Sequence, residues 1–190
     1  MNRVKTLVGA LLFLLPLAPA AGAADAVERL PDRWGLAFSN ARSVNPPLGV
    51  EFTTISYIRD LDHGYVWHND GPPALRFRAE LTAGVANTPE FRTLVAANII
   101  AVRYLDFLAG AMVRPYLEGG IGLIYTDFRV NGQGLRFNFD PQCGFGFEMK
   151  ASPDTSVFVE SRWHHISNAH LNHDNRGINS VIFTTGVLFK

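Results

Sequence analysis

A single antiparallel β-barrel of eight strands, crossing a membrane, is the fold this sequence predicts, and three observations predict it. Residues 1–23 read as a secretory signal. From Trp34 onward helical periodicity is weak and two-residue alternation is frequent, with turn residues between the runs. Where the alternation is cleanest, one face gathers large aromatics and the other mixes charges, amides and glycines. A soluble barrel turns its apolar face inward and a membrane barrel turns it outward. Bulky aromatics suit lipid, whereas paired charges suit a narrow lumen, so the outward reading is expected.

Taken in order, Arg3 and Lys5 form the basic start of the signal and Leu7 to Leu17 its apolar core. Ala21-Gly22-Ala23 is the small-residue cleavage site. Pro16 and Pro19 interrupt a run too short to span a bilayer as a helix. Residues 24–190 then suit one domain. Strands are expected near 33–42, 49–60, 74–85, 92–105, 114–128, 134–150, 155–168 and 178–189. Asn45-Pro-Pro47, Asn69 to Pro73, Asn87 to Glu90, Asn131-Gly-Gln-Gly134 and Ser152-Pro-Asp154 separate them.

Three strands alternate well enough to assign faces. The third sets Leu75, Phe77, Ala79 and Leu81 against Arg76, Arg78 and Glu80. In the sixth, Phe137, Phe139, Cys143, Phe145, Phe147 and Met149 oppose Asn138, Asp140, Gln142, Gly144, Gly146 and Glu148. The seventh sets Val157, Val159 and Trp163 against Glu160, Arg162 and His164, with Phe158 out of pattern. The second and fourth strands do not alternate cleanly. Trp34, Trp67, Tyr57, Tyr104 and Tyr125 are expected in the interfacial belts. Glu118, among Gly119, Gly120 and Gly122, belongs to close-packed barrel wall.

Composition excludes other classes. Seventeen Lys and Arg balance seventeen Asp and Glu, so the basic surplus of a nucleic-acid binder is missing. Cys143 is the single cysteine, which rules out an internal disulfide. His170, His173 and Asp174 match no strong zinc spacing, so no metal and no cofactor are expected.

Chemistry concentrates in Trp163 to Asn179, reading W-H-H-I-S-N-A-H-L-N-H-D-N-R-G-I-N. In a strand, residues two apart share a face, so His165 and Ser167 emerge side by side, as a base and its hydroxyl must. A hairpin through the turn-like Asn172 to Gly177 would return Asn179 beside His165, where it could orient the imidazole. With eight strands and both termini periplasmic, the seventh strand runs outward and ends in the outer leaflet. Its polar rim residues could also be merely interfacial, since the cost of polarity is small there. His164 points the other way, with Glu160 and Arg162, and reads as a lumen hydrogen-bonding group.

The run His165-Ile166-Ser167-Asn168-Ala169, followed by Asn175-x-Gly177-Ile178, resembles the signature of the lipid A 3-O-deacylase (PagL) family. Arg114-Pro-Tyr-Leu-Glu-Gly-Gly-Ile-Gly122 and Leu135-Arg-Phe-Asn-Phe139 resemble its middle strands, so about the C-terminal half carries the likeness. The resemblance implies an outer-membrane barrel of a Gram-negative bacterium that removes an ester-linked acyl chain from lipid A of lipopolysaccharide. It implies Ser167 as nucleophile, His165 as base, and Asn168 with a backbone N–H near His170 as oxyanion donors. Two positions depart from the family. Asn179 stands where the best-known members carry a glutamate, and His170 where glycine is frequent. Asp174 is an alternative acid, and a glutamate restored at 179 is expected to preserve or raise turnover. Two rivals stay open, a non-catalytic barrel that has lost its acid and a soluble lipocalin-like carrier. A homodimer is also left open.

Overall fold

Strands that bury one face and expose the other must close on themselves or leave edges unpaired. The computed structural model describes residues 31–65, 74–88 and 90–190, and there the strands close. The signal over 1–23 and Trp67 lie outside the described residues. The segments are β1 (Arg33–Asn45), β2 (Glu51–Asp62), β3 (Leu75–Asn87), β4 (Phe91–Tyr104), β5 (Val113–Thr126), β6 (Phe137–Phe139), β7 (Gln142–Lys150), β8 (Thr155–Ile166) and β9 (Ile178–Phe189). Every pairing is antiparallel, and β9 returns to β1. Among the described residues no helix is long and apolar enough to cross a membrane.

The nine segments make eight staves. Phe139 opposite Leu123 and Gln142 opposite Gly120 keep one register along β5, so β6 and β7 are halves of the sixth. Pro141 has no N–H to give the ladder, which splits them. The strand expected over 134–150 therefore starts at Phe137 and is interrupted, a correction with that cause.

Faces fall as the alternation predicts. Phe137, Phe145, Phe147 and Phe183 are exposed on the outer surface, while Arg78, Asp140 and Glu160 are buried inside. The lumen is charged at its middle: Arg162 binds Glu80 and Glu118, Arg78 binds Glu160, and Arg33 binds Asp60 and Glu148. Gly146 leaves room for the Tyr116 ring, whose hydroxyl donates to Glu160 at 2.7 Å. A side chain at 146 would collide with that phenol.

The two strands without clean alternation have a physical explanation. The lumen above its charged middle is apolar, filled by Val50, Phe52, Leu94, Ile124, Phe128, Ile166 and Ile178. On β4, Leu94 faces this plug, Ile100 and Val102 pack inside with Tyr104 and Tyr116, and Val95 and Ile99 face lipid, so both faces are apolar. Phe158 breaks the β8 pattern because it packs inside with Ile58 and Leu188, with Arg78 lying 4.9 Å over its ring. Tyr104 corrects the belt reading. It is 2% exposed, faces the lumen and donates its hydroxyl to Glu148. Trp34 and Tyr57 do face outward.

An outward Phe183 near the middle of β9 gives a direct check. Phe183→Arg should lower stability in lipid vesicles by ~2–4 kcal/mol, the scale for a cation at midplane. The urea midpoint of the refolded barrel would measure it, and an unchanged midpoint would contradict the lipid-facing assignment.

Candidate active site

One rim of the barrel carries the connections that follow β1, β3, β5 and β8, and Arg33 and Phe189 lie at the other. Strand β8 reaches the first rim without slipping. His165 donates its N–H to the Pro141 carbonyl at 3.0 Å, and Ser167 exchanges backbone bonds with Phe139 at 2.8 and 3.1 Å. His164 and Ile166 therefore turn inward, both buried, while His165 and Ser167 turn outward, half-buried. The apolar plug lies behind them, with Ile166 and Ile178 both 0% exposed.

Asn179 faces His165 directly in the β8–β9 ladder. Its Oδ1 lies 2.6 Å from His165 Nδ1, and its Nδ2 donates to the Asn45 carbonyl at 2.8 Å. Gly177 packs against the other edge of the ring. A Cβ there would stand 2.6 Å from His165 Cε1 and 3.2 Å from Nε2. The Ser167 hydroxyl has no hydrogen-bond partner among the described residues, so the dyad is adjacent but its proton path is not closed. Catalytic hydrogen bonds often tighten only around bound substrate.

The loop after Ser167 is held from below. Asn168 is 1% exposed; its backbone N–H donates to Asn175 Oδ1 and its Nδ2 to the Asp174 carbonyl, both at 2.8 Å. Gly134 donates to the same carbonyl, and Arg176 donates to Gly132, which zips this loop to 127–136. Ala169 and His170 follow with φ of 50° and 65°, two left-handed residues in succession. Such conformations cost non-glycine residues ~1–3 kcal/mol and gather at functional sites. They also explain why a glycine would suit position 170.

The remaining candidates sit elsewhere. His164 pairs with Asp140 inside the lumen, its ring edge-on to Phe52. Asp174 is exposed and lies 3.6 Å from His173, which is also exposed, whereas the partner of His165 Nδ1 is Asn179. The sequence assigns no individual role to Asn45, Asn175 or Gly177. The N-x-G pattern marked two of them. Asn45 gave no signal, because it stands before a Pro-Pro turn and reads as punctuation.

The family model described as lipid A 3-O-deacylase (PagL) matches residues 54–187, a longer span than the C-terminal motifs alone supported. No relative is matched among curated proteins. Among solved structures, neisserial surface protein A (NspA) superposes with a TM-score of 0.56 at 16% identity, covering 84% of this chain and 95% of its own. The outer membrane enzyme PagL superposes at 0.54 with 22% identity, covering 80% of this chain and 97% of its own. Likeness at these identities speaks for the shared barrel.

Proposed function

Because the chain belongs to the lipid A 3-O-deacylase (PagL) family, we propose that it hydrolyses the 3-O-linked acyl ester of lipid A by a serine mechanism. It is a Gram-negative outer-membrane protein of that family. The observation that carries the proposal is the 2.6 Å bond between His165 and Asn179, with Ser167 two residues along on the same outward face. That face meets the leaflet in which lipid A resides, so the acyl chain can lie along the barrel exterior, over Trp163 and Phe183.

Ser167 Oγ attacks the ester carbonyl while His165 Nε2 takes its proton. The oxyanion is met by the His170 backbone N–H and by the second N–H of the Asn168 amide, whose first is spent on Asp174. A donor of this kind is typically worth about 2.7–4 kcal/mol in the transition state. Collapse breaks the ester C–O bond, and His165 returns the proton to the departing sugar oxygen. Water, activated by His165 in turn, then releases the acyl group from Ser167. No metal or cofactor enters this scheme.

Mass spectrometry of lipid A from Gram-negative cells expressing the protein tests the proposal. Loss of one acyl chain, assigned to the 3-position by fragmentation, is expected. Unaltered lipid A in a membrane containing folded barrel would refute it. Gly177→Ala is a finer probe in the same assay. The added Cβ must push the imidazole aside, and a displacement near 1 Å can cost ~10²-fold in rate. Folded protein with that loss, shown by heat-dependent gel mobility, is the expected result.

A further inference from the structure

We infer that the Asn45 backbone carbonyl is a positioning group for this site, and that it makes asparagine, not a carboxylate, the fitting residue at 179. The inference rests on the Ser167-His165-Asn179 reading and extends it by one group.

A carbonyl oxygen can only accept a hydrogen bond. Because the Asn45 oxygen lies 2.8 Å from the Asn179 amide, the nitrogen must face it, and Oδ1 must then face His165. An acceptor at 2.6 Å from Nδ1 requires a proton on Nδ1. That leaves Nε2 bare on the ring, the atom a serine base needs. Replacing the acid by an amide in a serine protease triad costs ~10⁴ in kcat because the wrong tautomer results. There the amide is free to offer its NH₂ to the ring. Here the Asn45 carbonyl claims that NH₂.

The backbone of β1 is shaped for this contact. Ser43 pairs with Ser180 and Asn45 with Asn179, so β1 spends an extra residue, Val44, where β9 spends none. Such bulges re-aim groups beside functional sites. The turn is pinned just inside by Ser43, which exchanges bonds with Val50 at 2.8 and 3.0 Å. Pro46 follows with no N–H, so the residue after Asn45 brings no backbone donor to compete for its carbonyl. An aspartate at 179 would set a carboxylate oxygen against the Asn45 oxygen, and either contact must open. The conflict belongs to the carboxylate of the same length as asparagine; the expectation for glutamate at 179 concerns a longer side chain.

The test uses the full refolded barrel with Ser167→Ala, Asn179→Ala and Asn179→Asp, read by deacylation kinetics and by ¹⁵N spectra of labelled histidine. His165→Ala identifies the His165 signals among the six histidines. Expected is a wild-type ring protonated on Nδ1, and turnover in Asn179→Asp about tenfold or more below wild type with KM little changed, because one of the two contacts that hold the imidazole must open. Asn179→Asp turnover equal to or above wild type, or a wild-type ring protonated on Nε2, overturns the inference. Activity retained by Ser167→Ala would refute the serine reading itself. The ring tautomer and its response to Asn179→Asp then decide the positioning role without reference to turnover.

Discussion

Ser167→Ala should leave the acyl chain on lipid A, and His165→Ala should do the same, while both proteins still fold. When serine or histidine is removed from such a unit the loss is of order 10⁶ in kcat, because the groups act together. Stability should change by no more than ~0.5 kcal/mol, since both side chains lie outside the lumen network. His164→Ala is the informative contrast, one residue away and facing the other side. It should keep measurable turnover and lose stability, because its contact with Asp140 is buried. Lipid A mass spectra report the first effect and urea midpoints the second. Equal loss of activity from all three changes would mean that strand parity does not define this site.

Parity also explains how much of the protein could be read from its sequence. A two-residue period fixes faces wherever one face is polar, so β3, β7 and β8 were legible, and with them the placement of His165 apart from His164. The signal fails where the lumen is itself apolar. Leu94, Ile100 and Val102 look no different from Val95 and Ile99, and Tyr104 reads as a membrane-belt residue although it serves Glu148 inside. Within the site, the His165–Asn179 juxtaposition followed from a hairpin and its register. The Asn45 contact did not, because a backbone carbonyl has no residue signature and its aim depends on a bulge at Val44. The brace formed by Asn168 was hidden for a related reason. Its motif position suggests a donor to substrate, and its other bond, to the Asp174 carbonyl, depends on how two loops zip together.

Arg162→Ala should be the most destabilising single change in the barrel. Arg162 is 5% exposed and holds two carboxylates in fork geometry: Glu80 through both terminal nitrogens at 2.8 Å, and Glu118 through Nε and Nη2 at 3.0 Å. Glu160 lies 2.7 Å from the same guanidinium. Removing the cation leaves these acids facing one another in a lumen closed above by the apolar plug, with Arg78 the neighbour still able to answer Glu118 and Glu160. Breaking a buried pair from one side typically costs 3–5 kcal/mol, most of it the uncompensated charge. Arg162→Lys should fall between, because a single ammonium cannot serve two carboxylates as a fork does. The decisive comparison adds Glu80→Gln and Glu118→Gln to Arg162→Met. Removing the stranded charges should recover much of the lost stability, since an apolar replacement of a whole buried network is often tolerated. Urea unfolding of the refolded barrel, followed by tryptophan fluorescence, gives the midpoints. A shift below ~0.5 kcal/mol for Arg162→Ala would mean that water screens these charges. The barrel would then be held by its backbone ladder and its outer face alone.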